Sequence, residues 1–205
     1  MFMLTNNVFR IFRKLSILYL DKLRSVYNKC LFQSYVETEG GLSVIGRFHI
    51  FVSRTAKMKV GKNFNLVSTH LINPLCSRPS IINVGDGAVV NIGDNVGMSS
   101  PIIWITKSLT IGNHVNCGGA VMIMDTDAHS LNYLDRRDGE KDMANRVDKG
   151  IVIDDDVLIG MNAIILKGVH IGARSIIGAG SVVTKDIPCD CIAAGNPARV
   201  IKQLN

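Results

Sequence analysis

Nowhere in the 205 residues is there a run of about 18 uncharged apolar residues, the length a helix needs to cross a bilayer. A spanning helix is not expected. No stretch reads as a secretory signal peptide, and the five cysteines, at 30, 76, 117, 189 and 191, form no CxxC pair. An odd set without that spacing suits reduced thiols and a cytoplasmic setting better than a disulfide frame or a zinc site. The net charge of +6 suggests nucleic acid until its distribution is read. Residues 1–36 carry Arg10, Arg13, Lys14, Lys22, Arg24 and Lys29 against Asp21 alone, so five of the six surplus charges lie there. The rest of the chain has no basic face with stacking or base-reading side chains beside it, and a nucleic-acid partner is not expected.

What is present is one domain's worth of chain, 47% apolar and rich in glycine with 19 residues, which points to a buried core and many tight turns. The organisation divides into a basic amphipathic helical segment at 1–40, a repetitive body at 41–198 and a tail at 199–205 expected to form a short helix. In "NVFRIFRKLSILYLDKLRSVYNK" apolar and basic residues alternate at three-to-four spacing, the pattern of one or two helices. Such a segment packs on the body, or rests through residues 1–36 on an anionic membrane at the cytoplasmic face. Both readings stay open.

From about residue 42 short β-rich pieces appear, each ending in Gly, Asn or Asp. Starting at Ile153 the chain divides every six residues into IDDDVL, IGMNAI, ILKGVH, IGARSI, IGAGSV and VTKDIP. Position one is Ile153, Ile159, Ile165, Ile171, Ile177 and Val183. Position five is Val157, Ala163, Val169, Ser175, Ser181 and Ile187, and position two is often glycine. Six is not a helical period. It predicts a wall that turns a corner every six residues, three walls to a coil, with Gly or Asn taking the corner conformations. Coils then stack at the strand spacing of about 4.8 Å. The same hexads recur from Ile92 and from Ile111, with a register slip between them because 19 is not a multiple of six.

This repeat, with "GAGSVVTKDIP" at 178–188 and "AGNPARVIK" at 194–202, resembles the hexapeptide-repeat acyltransferases. The likeness extends to that family's maltose, galactoside and capsular-sugar O-acetyltransferases. The resemblance covers roughly residues 42–202. It implies a mainly β fold, a left-handed parallel β-helix, as well as a homotrimer with inter-subunit active sites, and acetyl-CoA as acyl donor with no metal required.

Counting hexads from Ile111 through Cys117 and Ile123 places His129 where the next aliphatic residue belongs. The charged stretch that follows, at 130–150, is expected to leave the helix as a solvated loop. A histidine at the root of such a loop is half held and half exposed. Its imidazole can take the proton from a hydroxyl as that hydroxyl attacks a thioester. Asp127 is the expected partner that fixes its tautomer, with Asp125 as an alternative. "DTDAHSL" at 125–131 looks like the family's catalytic-histidine stretch.

By the same resemblance, Met161, Ala179, Thr184, Lys185, Arg199 and Lys202 stand at donor-contacting positions, the three cations suiting CoA phosphates. Two departures concern the acceptor: Leu158 stands where the branch has an aromatic, and the acceptor loop reads "GMSSPIIW". Ser99 and Ser100 are the residues there able to meet a sugar hydroxyl. The expected activity is O-acetylation of a saccharide acceptor during capsule, exopolysaccharide or lipopolysaccharide assembly. The alternatives are N-acetylation of an amino sugar, a serine-type acetyltransferase, and a β-helix that only scaffolds partners.

Overall fold

The computed structural model describes residues 23–76 and 78–204. It is a left-handed parallel β-helix of three walls. Wall A stacks β1 (Glu37–Thr38), β4 (Lys57–Val60), β7 (Val89–Ile92), β10 (Ser108–Ile111), β13 (Ile151–Ile153) and β16 (His170–Ile171). Wall B stacks β2 (Ser43–Gly46), β5 (Asn65–Ser68), β8 (Gly97–Ser99), β11 (Asn116–Gly119), β14 (Leu158–Ile159), β17 (Ile176–Ile177), β19 (Cys191–Gly195) and β20 (Ala198–Gln203). Wall C stacks β3 (Phe48–Val52), β6 (Ser80–Val84), β9 (Ile102–Ile105), β12 (Met122–Met124), β15 (Ile164–Ile165) and β18 (Val182–Val183).

The hexad rule builds the interior by register. Wall A aligns Val60, Ile92, Ile111, Ile153 and Ile171 in one column. Wall C aligns Ile82, Ile103, Ile123, Ile165 and Val183. The six position-one residues from Ile153 to Val183 are all fully buried, and complete burial of such a side chain contributes about 1.5–3 kcal/mol. Position five is filled to match. Ser175 and Ser181 are buried there too, but Ser175 Oγ donates to the Pro188 carbonyl at 2.6 Å and Ser181 Oγ accepts from Gly195 N at 3.1 Å.

The corners differ from expectation in one respect. Gly160, Gly172 and Gly178 are not among the positive-φ residues. The left-handed turn falls instead on a residue two or more places further on, as at Asn95, His114, Asp156 and Arg174, with φ of 58°, 57°, 60° and 60°. The position-two glycines are small because the next coil crosses over them: a Cβ on Gly160 would lie 2.5 Å from Ala179 N and 2.8 Å from its Cα.

The register slip is real and local. Ile92 and Ile111 stack directly on wall A, and the surplus of that coil is taken up at the C–A corner, residues 106–108. Asp125, fully buried, closes this wide corner from the coil above. One carboxylate oxygen accepts from Thr106 N at 2.7 Å and Thr106 Oγ1 at 3.0 Å, and the other from Lys107 N at 2.7 Å and Ser108 N at 2.8 Å.

Residues 23–33 form a helix, α1, which packs against the first coils. Phe32 is fully buried, its ring 5.7 Å from that of Phe64 and 6.2 Å from that of Phe48. Of the basic N-terminal segment, residues 1–22 lie outside the described residues. No helix among the described residues is long and apolar enough to cross a membrane. At the other end the expected short C-terminal helix is not formed. Residues from Ala198 to Gln203 are the strand β20, which turns back antiparallel on β19. The free edge of β19 offers a ladder, and the β-branched pair Val200 and Ile201 suits it.

Candidate active site

The polar run after Met124 is the stem of a loop inserted at the C–A corner, between β12 and β13. Thr126 and Asp148 form an antiparallel bridge across its base. Lys149 N donates to Asp125 O at 2.8 Å and Asp127 N to Val147 O at 3.2 Å. Beyond the stem the loop carries its own structure: a 3-10 turn at Asp135–Arg137, then the helix α2 (Gly139–Asn145). Asp138 caps α2 by accepting from Glu140 N and Lys141 N at 3.1 and 3.3 Å.

This helix returns Asp142 to the loop root. His129 Nδ1 lies 2.6 Å from Asp142 Oδ2, while Asp142 Oδ1 accepts from Ser130 N at 2.7 Å. Asp142 is 8% exposed, whereas the His129 side chain is 68% exposed. The hydrogen bond from His129, and after it that from Ser130 N, hold the Asp142 carboxyl below the usual carboxylate range. An ionised carboxylate at Nδ1 selects the tautomer with its proton there. Nε2 then carries the lone pair and faces outward. Ser130 is fixed in turn by its Oγ to Asp135 at 2.9 Å and by Arg136 Nη1 on its carbonyl at 2.7 Å.

Asp127 takes no part in this pair. Its Oδ2 lies 3.2 Å from Lys167 Nζ, an ion pair that closes the corner between consecutive coils. Asp125, the alternative, is spent on the corner below. Both aspartates belong to the loop stem, where Asp125 is turned to the coil below and Asp127 to Lys167 rather than to His129.

Of the expected donor-contacting residues, four fall on the two edges of wall C and two on wall B. Met161 and Ala179 occupy consecutive B–C corners; a Cβ on Gly118 would touch Met161 N at 2.7 Å, just as Gly160 approaches Ala179. Thr184 and Lys185 occupy the C–A corner after β18, and Thr184 lines a small recess with Thr126, Asp127 and Lys167. Arg199 and Lys202 lie exposed on β20, Arg199 opposite Ala194 and Lys202 opposite Ile192. Of the two acceptor serines, Ser100 is fully buried at a φ of 46° with its Oγ unpartnered among the described residues, and Ser99 Oγ accepts from Asn73 Nδ2 at 2.9 Å.

A family model described as bacterial transferase hexapeptide (six repeats) matches residues 150–185, the stretch from β13 to just past β18. Within that stretch the chain is similar to the hexapeptide-repeat transferases. Among curated proteins, a 2,3,4,5-tetrahydropyridine-2,6-dicarboxylate N-acetyltransferase of Staphylococcus aureus is 53% identical over 55 residues, 27% of this chain. That match spans 23% of the curated relative's length. Among solved structures, a hexapeptide-repeat-containing acetyltransferase from Vibrio cholerae superposes with a TM-score of 0.50 at 29% identity, covering 88% of this chain and 81% of that one. The polySia-specific acetyltransferase NeuO superposes with a TM-score of 0.58 at 25% identity, covering 82% and 70%.

Two features of this chain escape a reading by period. Asp142 sits in an aperiodic loop, and its only local mark is the Asp138 cap that starts α2. The second is a strap, residues 69–79, inserted between β5 and β6. Asn73 reaches Ser99 from it, and Arg78 Nη2 donates to Ala120 O at 3.1 Å. Among the described residues no group of three or more His, Cys, Asp or Glu side chains gathers as a metal site.

Proposed function

We propose that the protein is an acyl-CoA-dependent O-acetyltransferase acting on a saccharide hydroxyl, with His129 as the general base. The observation that carries this reading is the pair of His129 with Asp142, which leaves Nε2 open at the root of a braced loop. The acceptor hydroxyl gives its proton to Nε2 as its oxygen attacks the thioester carbonyl. The imidazolium so formed is stabilised by the Asp142 carboxylate, and it returns the proton to the departing CoA thiolate. Acetyl-CoA lies along the upper coils, with its phosphates met by Lys185, Arg199 and Lys202.

The assembly that completes the groove is a homotrimer. Wall C offers the surface for it: Ile81, Ile102, Met122, Ile164 and Val182 form one outward column, with Trp104 and Met124 paired beside it. A second copy covering this wall brings the loop of one subunit to the B–C edge of the next. The setting is cytoplasmic assembly of a surface polysaccharide.

A second reading, N-acetylation of an amino sugar, is favoured by the 53% identity to an N-acetyltransferase. Mass spectrometry of the acetylated product separates ester from amide. The experiment for the main reading is release of CoA thiol from acetyl-CoA in the presence of a saccharide acceptor. His129→Ala is expected to lower the rate by about 10²–10⁴-fold, the usual scale for loss of a general base, with acetyl-CoA affinity retained. An unchanged rate would remove His129 as the base, and no CoA release by the wild-type protein would transfer it to the scaffold class.

A further inference from the structure

Beside the corner that joins β2 to β3 opens a recess of about 350 Å³, far from the expected donor residues. Arg24, Arg47, Arg78 and His70 line it, and among the described residues no carboxylate does. Among the described residues, none of the three guanidinium groups is in an ion pair. Like charges gathered without a counter-charge cost free energy, yet each arginine is set in place separately. Asn28, 4% exposed, donates from Nδ2 to Gly46 O at 2.7 Å and pins α1 to this corner. Arg24 lies one turn before it on the same helix face. Arg47 N donates to Ser68 O at 3.1 Å. Arg78 is tethered through Nη2 to Ala120 O, and its Nε is a buried donor without a partner among the described residues.

We propose that this recess binds the diphosphate of a carrier, so that the acceptor saccharide reaches His129 as a diphosphate ester. This deepens the acetyltransferase reading and rests on it. Guanidinium forks match phosphate oxygens in bidentate fashion, and an unpaired cluster of three selects a ligand with more than one negative charge. The recess spans the first two coils, the His129 loop leaves the fourth, and Thr184 and Lys185 stand on the sixth. At about 4.8 Å per coil, the base is placed roughly 10 Å along the axis from the recess and from Lys185. Acceptor phosphates at one end and donor phosphates at the other would bring the two reacting groups together at its height. Isoprenoid and nucleoside diphosphates share the recognised anion. Leu71 and Ile72, each 57% exposed on the adjoining strap, offer apolar surface to the former.

The test is calorimetric titration of inorganic pyrophosphate, UDP and farnesyl diphosphate into the full chain, with acetyl-CoA titrated in parallel. Pyrophosphate is expected to bind saturably and to lose tenfold or more in affinity in Arg24→Gln and in Arg47→Gln. Both side chains are exposed, so these variants are expected to keep the wild-type melting temperature and acetyl-CoA affinity. Tighter binding of farnesyl diphosphate than of UDP identifies an isoprenoid carrier, and the reverse order a nucleoside one. Equal pyrophosphate affinity in wild type and both variants would overturn the proposal, as would a parallel loss of acetyl-CoA affinity, which assigns the recess to the donor. Intact pyrophosphate binding with no acetyl-CoA binding would sink the acetyltransferase reading and leave the anion site standing.

Discussion

A carboxylate 2.6 Å from an imidazole nitrogen both chooses the tautomer and stabilises the cation formed when the ring takes a proton. Asp142→Asn keeps the shape of the pair and removes the charge. It is expected to lower kcat by about 10²–10⁴-fold, as loss of the same charge does in serine hydrolases, and to leave KM for acetyl-CoA unmoved. A fall in KM-linked affinity with kcat intact would show that Asp142 only braces the loop. The same residue has an acid signature. Because its folded carboxyl sits below its ordinary range, the folded state binds fewer protons than the unfolded one in acid. Its contribution to stability is present above the unfolded carboxylate range and is lost as pH falls through the folded value. Urea midpoints measured from pH 7 to pH 3 should therefore fall less steeply in Asp142→Asn than in wild type. At this scale the sequence was only partly legible. His129 announces itself by standing where an aliphatic residue belongs, but Asp142 is thirteen positions away in a loop with no period, and nearer aspartates outcompete it on paper.

Corners, more than strands, distinguish the elements of this fold. The strands are interchangeable hexads, so each could be read from six consecutive residues. What the corners hold could not, because each is completed by the coil above. Asp125 looks like half of a catalytic pair in sequence and is, in space, the acceptor for three backbone N–H groups and a hydroxyl of the previous coil. Its replacement by alanine strands those donors in a buried corner, and each unmet group costs about 1–3 kcal/mol. Asp125→Ala is expected to destabilise the fold by about 3 kcal/mol or more in equilibrium urea unfolding, with activity lost alongside as the loop stem shifts. A midpoint equal to wild type would mean that water replaces the carboxylate. The glycines teach the same lesson: their small size answers to a neighbour on the next coil, as Gly160 does to Ala179 nineteen residues on. The C-terminal strand was misread as a helix because the edge that recruits it belongs to β19 and is invisible in residues 199–205.

For the molecule as a whole, the expected trimer turns on wall C. Met122→Glu places a charge in the middle of its apolar column, on an outward position that leaves the interior intact. Sedimentation velocity is expected to show a trimer for wild type and a folded monomer for Met122→Glu, with acetyl transfer lost. A wild-type monomer that transfers acetyl groups would remove the inter-subunit site. The architecture was legible from the period at the C-terminal coils and less so towards the N-terminus, where lengthened C–A corners and the strap after β5 hide the repeat.

The reversal of β20 has a consequence beyond closing the last coil. A stack of parallel coils presents the same row of unmet backbone donors and acceptors at its top as at its base, so bare ends would join copy upon copy without limit. Here α1 packs at one terminus and a strand of opposite direction lies on β19 at the other. The polymer that such a solenoid could grow into is thus stopped at a single unit, and a chain truncated before Ala198 would be the one to form fibres.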